Sequence, residues 1–137
     1  MRLTLRDGLL FLSATVRYQG KQVTVPNLVV DTGSAATLLS TDAVAPAGIV
    51  PEPDDVLHVV RSIAGAEVVF SRRLDGLQVG KRTVTQFEVE IGGVDPAFDI
   101  NGILGLDFLL RTGAVLDLGT LTIHFPGEHP ALEQGQA

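Results

Sequence analysis

Cysteine is absent from the 137 residues, which excludes a disulfide framework and a thiol nucleophile. Basic residues are scarce: Lys and Arg total 10 against 16 acidic residues, for a formal net charge of −6. That balance argues against a nucleic-acid partner and is read as a contribution to solubility. No apolar run reaches the length of a membrane span, and the opening Met1–Gly8 lacks the apolar centre of a signal peptide. These absences predict a soluble, cytoplasmic chain with no membrane partner. The three histidines, His58, His124 and His129, do not have metal-binding spacing, so neither a metal nor another cofactor is expected.

What is present is apolar residue in short runs. Hydrophobic residues make up 45 % while aromatics reach only 5 %, and 15 Gly with 7 Pro punctuate the chain. Many short strands joined by tight turns satisfy that composition better than long helices. The length is that of one domain with a core of its own. An all-β domain is expected over residues 1–125, with a polar, flexible tail over 126–137.

Periodicity places the strands. Residues 9–18 alternate, with Leu10, Leu12, Ala14, Val16 and Tyr18 on one face. Gln19-Gly20 turns the chain, and Val23 and Val25 resume the alternation until Pro26 marks a kink or an edge. Residues 35–40 read as a short strand or turn, and 41–55, with Pro46, Gly48, Pro51 and Pro53, as a surface connection. Residues 56–74 read as a long hairpin whose tip is Ser62, Ile63, Ala64, Gly65 and Ala66. Strands near 73–79 and 82–91 follow. Leu106 to Arg111 forms one short helix stopped by Gly113, and residues 114–125 close with a hairpin.

Two stretches carry chemistry. Leu28-Val29-Val30 is a buried strand that delivers Asp31-Thr32-Gly33-Ser34 into a turn. An ionised Asp directly after three core residues costs several kcal/mol unless it is paired or hydrogen-bonded. The plain explanation is a turn cap, since these four residues are common turn formers. Far downstream lies Asn101-Gly102-Ile103-Leu104-Gly105-Leu106-Asp107. Taken together, Val29-Val30-Asp31-Thr32-Gly33-Ser34 and Ile103-Leu104-Gly105 resemble the two signatures of the aspartic peptidases, in order and at the separation of a single lobe.

The triplet Asp31-Thr32-Gly33 occurs once, so the resemblance is to the half-size, retropepsin-like branch: an all-β, single-lobe acid-protease barrel with a flap hairpin and one short helix. It implies an aspartic endopeptidase that cleaves a peptide or protein substrate as a homodimer, Asp31 of each subunit supplying one carboxylate. It further implies that Thr32 bonds across the two loops, that Gly33 positions substrate backbone, and that Ser34 donates to the Asp31 carboxylate. Ser62 to Ala66 would be the flap tip, and Ile103, Leu104 and Gly105 the element beneath the site. The terminal strands that join retroviral proteases are not matched here, which leaves Leu121 to Phe125 as a candidate interface.

Asp107 is read as a helix-start carboxylate and Asp117 as a turn former. A Ser34–His58 hydrolase pair lacks the nucleophile-elbow pattern. Two other functional classes stay open: a noncatalytic dimerisation or peptide-binding module that keeps the fold, and a small barrel for an apolar ligand.

Overall fold

A computed structural model describes residues 1–62, 65–94 and 96–127. Ten strands account for most of them: β1 (Thr4–Arg6), β2 (Leu9–Tyr18), β3 (Lys21–Val30), β4 (Leu38–Ser40), β5 (His58–Ser62), β6 (Gly65–Val79), β7 (Arg82–Gly92), β8 (Gly102–Leu104), β9 (Val115–Asp117) and β10 (Thr122–His124). Two helices, α1 (Thr41–Val44) and α2 (Leu106–Thr112), interrupt them. No helix among the described residues is long and apolar enough to cross a membrane.

The main sheet runs β1-β2-β3-β8-β4-β7-β6-β5, and β2 also pairs with β6. That extra pairing closes six strands into a ring and leaves β1 and β5 outside it, each held by one neighbour. Val16, Val25, Leu28, Leu39, Leu74, Leu77, Ile91 and Leu104 fill the ring's interior with no exposed surface. The alternation read in residues 9–18 appears here as Leu12, Ala14, Val16 and Tyr18 turned into that core.

At Pro26, β3 bulges. Leu12 pairs with Leu28 and Ala14 with Val25, so two residues of β3 oppose Ser13 alone. Asn27 absorbs the extra residue at φ 58°. The bulge turns β3 toward β8: the Asn101 side chain donates to the Pro26 carbonyl at 2.9 Å, and its N–H donates to Asn27 O at 3.0 Å.

Three local expectations are corrected. Residues 41–49 are not wholly a surface connection: Val44, Ala47 and Ile49 are buried against the main core, because α1 and a following 3-10 turn (Ala45–Ala47) turn these three side chains inward while Ala45 and Pro46 stay exposed. Nor does the hairpin end at Leu74 with a separate strand after it. β6 is one 15-residue strand that pairs with β5 at one end and β2 at the other, keeping β7 alongside from Val69 to Val79.

The third correction concerns the C-terminal hairpin. β10 lies between β9 and the first residues of the chain, with Leu3 N–H donating to Leu121 O and Ile123 N–H to Met1 O. Ile123 and Phe125 are buried. Residues 121–125 therefore present no free strand edge, and among the described residues the open edge of this small sheet belongs to β9.

Helix α2 docks through Phe108, which is fully buried and meets Phe87 and Phe125 edge to face at 5.7 and 6.4 Å. Full burial of such a ring stabilises by about 2–3 kcal/mol. Gly113 ends the helix at φ 65°, its N–H donating to Leu109 O and Leu110 O, the left-handed stop that glycine adopts without strain.

Candidate active site

β3 and β8 run parallel, with Val29 beside Ile103 and Val30 beside Leu104. The Asp31 N–H extends this ladder to Leu104 O at 3.0 Å. Asp31 thus leaves the sheet with its backbone fixed by the element predicted to lie beneath it. The loop then doubles back: Ser34 N–H donates to Asp31 O at 3.2 Å, and Leu106 N–H donates to Ser34 O at 2.7 Å. The loop Asp31 to Ser34 therefore lies against Leu104 and Leu106, on either side of Gly105.

The carboxylate itself is half-buried, and Thr32 and Gly33 beside it are exposed. Gly33 N–H donates to Asp31 Oδ1 at 2.8 Å, a bond that orients the carboxylate within its own turn. Among the described residues only Oδ1 receives a hydrogen bond. Ser34 does not donate to this carboxylate, contrary to expectation. Its single hydroxyl proton goes to Ala36 O at 2.9 Å, because the chain turns at Ala35-Ala36 and brings that carbonyl closer than the carboxylate.

Beneath the loop lies an arrangement that sequence reading missed. Thr37 is fully buried; its Oγ1 donates to Asp107 Oδ1 at 2.7 Å and accepts the Gly105 N–H at 3.0 Å. Asp107 Oδ2 accepts the Thr37 N–H at 3.0 Å, and Oδ1 also accepts the Phe108 N–H at 2.8 Å. One carboxylate and one hydroxyl so satisfy donors from the loop, from Gly105 and from the first turn of α2. Asp107 does sit at the helix start, but its larger role is to tie α2 to the loop. A threonine inside the apolar run Ala35 to Leu39 was the available signal, since a buried hydroxyl needs a partner.

Close approach explains the glycine between these elements. A Cβ on Gly105 would lie 2.6 Å from the carbonyl carbon and oxygen of Ala36 and 3.0 Å from Ser34 O. Gly102 is similarly constrained: at φ 152° a Cβ there would run into the Leu38 carbonyl.

The β5–β6 hairpin stands beside this centre. Ser62 pairs with Gly65 and Arg61 with Ala66; Ile63 and Ala64, the expected tip, lie outside the described residues, as do residues 128–137 of the expected tail. At the hairpin's root, Val69 packs with Leu38 and Ile103, the residues that flank the Asp31 loop in the sheet, and Val94 covers the cluster. His58, at the start of β5, contacts Glu90 of β7 at 2.8 Å, and is not near Ser34 in any described bond. Among the described residues no group of acidic or histidine side chains could hold a metal ion.

A lone carboxylate on a rigid, half-open loop can accept a proton from water or give one to a leaving group, but it cannot do both in one step. The profile of the family described as "Aspartyl protease" matches residues 14–108, which span both signatures. Among solved structures, a retropepsin-like aspartic protease from Rickettsia conorii superimposes with a TM-score of 0.58 at 20 % identity, over 85 % of this chain and 81 % of that one. The retroviral protease-like domain of Ddi1 from Leishmania major gives 0.60 at 15 % identity, over 88 % and 90 %. These likenesses are of fold: all-β, retropepsin-like and single-lobed. A search of curated proteins returns no match.

Proposed function

The chain belongs to the aspartyl protease family, and from that premise we propose that it is an aspartic endopeptidase, active as a homodimer in which each subunit contributes Asp31. The observation that carries this reading is the fixing of Asp31 at a strand end, by Leu104 O behind it and Gly33 N–H beside its carboxylate. Two carboxyl groups a few ångström apart cannot both ionise, so one retains a proton. As in the aspartic proteases generally, the ionised member then activates water while the protonated one serves the departing nitrogen. Because Asp31-Thr32-Gly33 occurs once per chain, the second carboxyl comes from a second copy across a two-fold axis.

Several features support the association. The edge of β9, open among the described residues, can pair antiparallel with its symmetry mate, and Val115, Leu118 and Leu110 around it are 45 %, 66 % and 71 % exposed. Apolar side chains at an open edge favour pairing over solvation. In such a dimer Thr32, exposed at the loop tip, would reach the partner loop, and Gly33 would lie against substrate backbone. The β5–β6 hairpin, Ser62 to Ala66, serves as the flap that closes over a bound peptide and excludes water.

Sedimentation across a concentration series, combined with cleavage of an apolar peptide library at mildly acidic pH, tests the reading. Dimerisation, cleavage blocked by a statine-type transition-state mimic, and loss of cleavage in Asp31→Asn are expected. A folded protein that cuts nothing and ignores the mimic would instead identify a peptide-binding or dimerisation module on the same fold.

A further inference from the structure

Asp107 is a carboxylate that the proposed chemistry does not use, and among the described residues no cation pairs with it. Its Oδ1 accepts the Thr37 hydroxyl at 2.7 Å, and the Thr37 oxygen accepts the Gly105 N–H at 3.0 Å. That N–H belongs to the same peptide group as the Leu104 carbonyl, which accepts the Asp31 N–H at 3.0 Å. The direction of every bond is forced. An ionised carboxylate only accepts, a backbone N–H only donates, and the single hydroxyl proton is committed between them. Asp31 N–H, Leu104 carbonyl, Gly105 N–H, Thr37 hydroxyl and Asp107 carboxylate therefore stand in one file, each donor pointing toward the charge. Thr37 and Leu104 have no exposed surface and Gly105 is buried. In such surroundings bonds linked in series strengthen one another by roughly 10–30 % each.

We propose that Asp107 is a positioning residue for Asp31: its charge, passed through the Thr37 hydroxyl and the Leu104–Gly105 peptide, tightens the bond that fixes the Asp31 backbone. That Asp31 is catalytic rests on the peptidase reading above; the relay to its backbone does not. The bond matters because, among the described residues, the Asp31 carboxylate is oriented only within its own turn, by the Gly33 N–H at 2.8 Å. Whatever displaces the backbone of Asp31 displaces the carboxylate with it. The far end of the loop is held independently, by the Leu106 N–H on Ser34 O at 2.7 Å, a bond outside the file. Loosening therefore falls on Asp31 itself, and misplacing a reacting group by about 1 Å can cost about a hundredfold in rate. Asp107→Asn, nearly equal in volume, removes the polarity of the file. With its oxygen toward the Thr37 hydroxyl, the new NH2 opposes the Thr37 N–H that Oδ2 accepts. Turned over, it opposes the Phe108 N–H and donates to the Thr37 oxygen, against the run of the other bonds.

NMR and steady-state kinetics of the full chain, as wild type, Asp107→Asn, Thr37→Val and Thr37→Ser, test the proposal. The scalar coupling across the hydrogen bond from Asp31 N to the Leu104 carbonyl carbon reads the bond directly. It should fall by about 10–30 % in Asp107→Asn and in Thr37→Val, while Thr37→Ser, which keeps the hydroxyl, stays at the wild-type value. The bond from Asn101 N–H to Asn27 O, at the other end of the β3–β8 pairing, serves as the internal reference and should not change. On a cleaved peptide, kcat should drop about three- to tenfold in Asp107→Asn with KM held within about twofold, the pattern of a reacting group out of place rather than of weakened binding. An unchanged Asp31 coupling in Asp107→Asn, or an equal loss at Asn101, would overturn the proposal, as would full kcat beside a weakened coupling. Should the couplings behave as expected while the wild type cuts no peptide, the relay stands and the peptidase reading fails.

Discussion

Thr37 and Asp107, 70 residues apart in sequence, form a mutual lock, with hydroxyl to carboxylate at 2.7 Å and backbone N–H to carboxylate at 3.0 Å. Because the Thr37 oxygen also accepts the Gly105 N–H, its loss strands a buried donor as well as weakening the hold on Asp107. Thr37→Val, nearly equal in shape, should destabilise the fold by about 2 kcal/mol, within the range of about 1–3 kcal/mol for orphaning a buried polar group. Thr37→Ser should recover most of it. Urea unfolding of the three proteins measures the difference, and equal midpoints would show the lock to be idle.

Gly105 is a matter of space. Gly105→Ala places a methyl group within 2.6 Å of the Ala36 backbone, where no flexible side chain can yield. Overpacking of this kind costs about 1–3 kcal/mol or more, and here it pushes the Asp31 loop away from β8. A lower melting temperature together with loss of peptide cleavage is expected, whereas a fully stable and active variant would contradict the close approach.

Arg72 organises the segment ahead of the hairpin. Its side chain is 10 % exposed and donates to Asp55 Oδ2 at 2.7 Å and Val50 O at 3.2 Å, with Glu52 at 3.7 Å. It also lies against the rings of Phe70 and Tyr18. Burial works against its charge, but the Tyr18 hydroxyl, Asp55 and Glu52 together raise its pKa above the ordinary arginine value. Arg72→Met keeps the packing and removes the donors. A loss of about 1–3 kcal/mol and faster limited proteolysis between residues 50 and 57 should follow; an unchanged cleavage rate there would separate Arg72 from this segment.

Asp117 gives the C-terminal hairpin an acid limit. The Thr120 N–H first, and then the Thr120 side chain and the Gly119 N–H, favour its ionised form and lower its pKa below the usual 3.8. A lowered folded-state pKa means that the contribution is complete above the unfolded value and fades as pH falls through the folded one. The β9–β10 turn, and any association through β9, should therefore weaken below about pH 4. Asp117→Asn, which retains an accepting oxygen but does not titrate, should show a flatter acid limb in stability and in sedimentation. Identical acid limbs in the two proteins would remove Asp117 from the account.

What could be read in the sequence was local. Asp31 to Ser34 and Ile103 to Gly105 were legible because close backbone packing restricts which residues fit, and the strand alternation in residues 9–18 because a half-buried strand sorts its side chains by face. Partners set by tertiary approach were not. Ser34 could have turned its hydroxyl to either of two acceptors within the same turn, and only the path of Ala35-Ala36 decides between them. Val44, Ala47 and Ile49 sit among prolines and small residues that resemble a loop, yet the barrel leaves a hollow that they fill. The Thr37–Asp107 and His58–Glu90 contacts join positions whose spacing follows no period, so no pattern within a window could reveal them.

The parallel pairing of β3 with β8 has a bearing on the order of events during synthesis. Closing a chain segment this long carries an entropic penalty that is repaid only by the contacts made afterwards, and such non-local pairings form slowly. Asp31 emerges from the ribosome well before Leu104 and Gly105, the residues that hold its loop. A nascent or truncated polypeptide ending short of them lacks the strand that fixes Asp31, so the loop takes its final shape only once nearly the whole domain has been made.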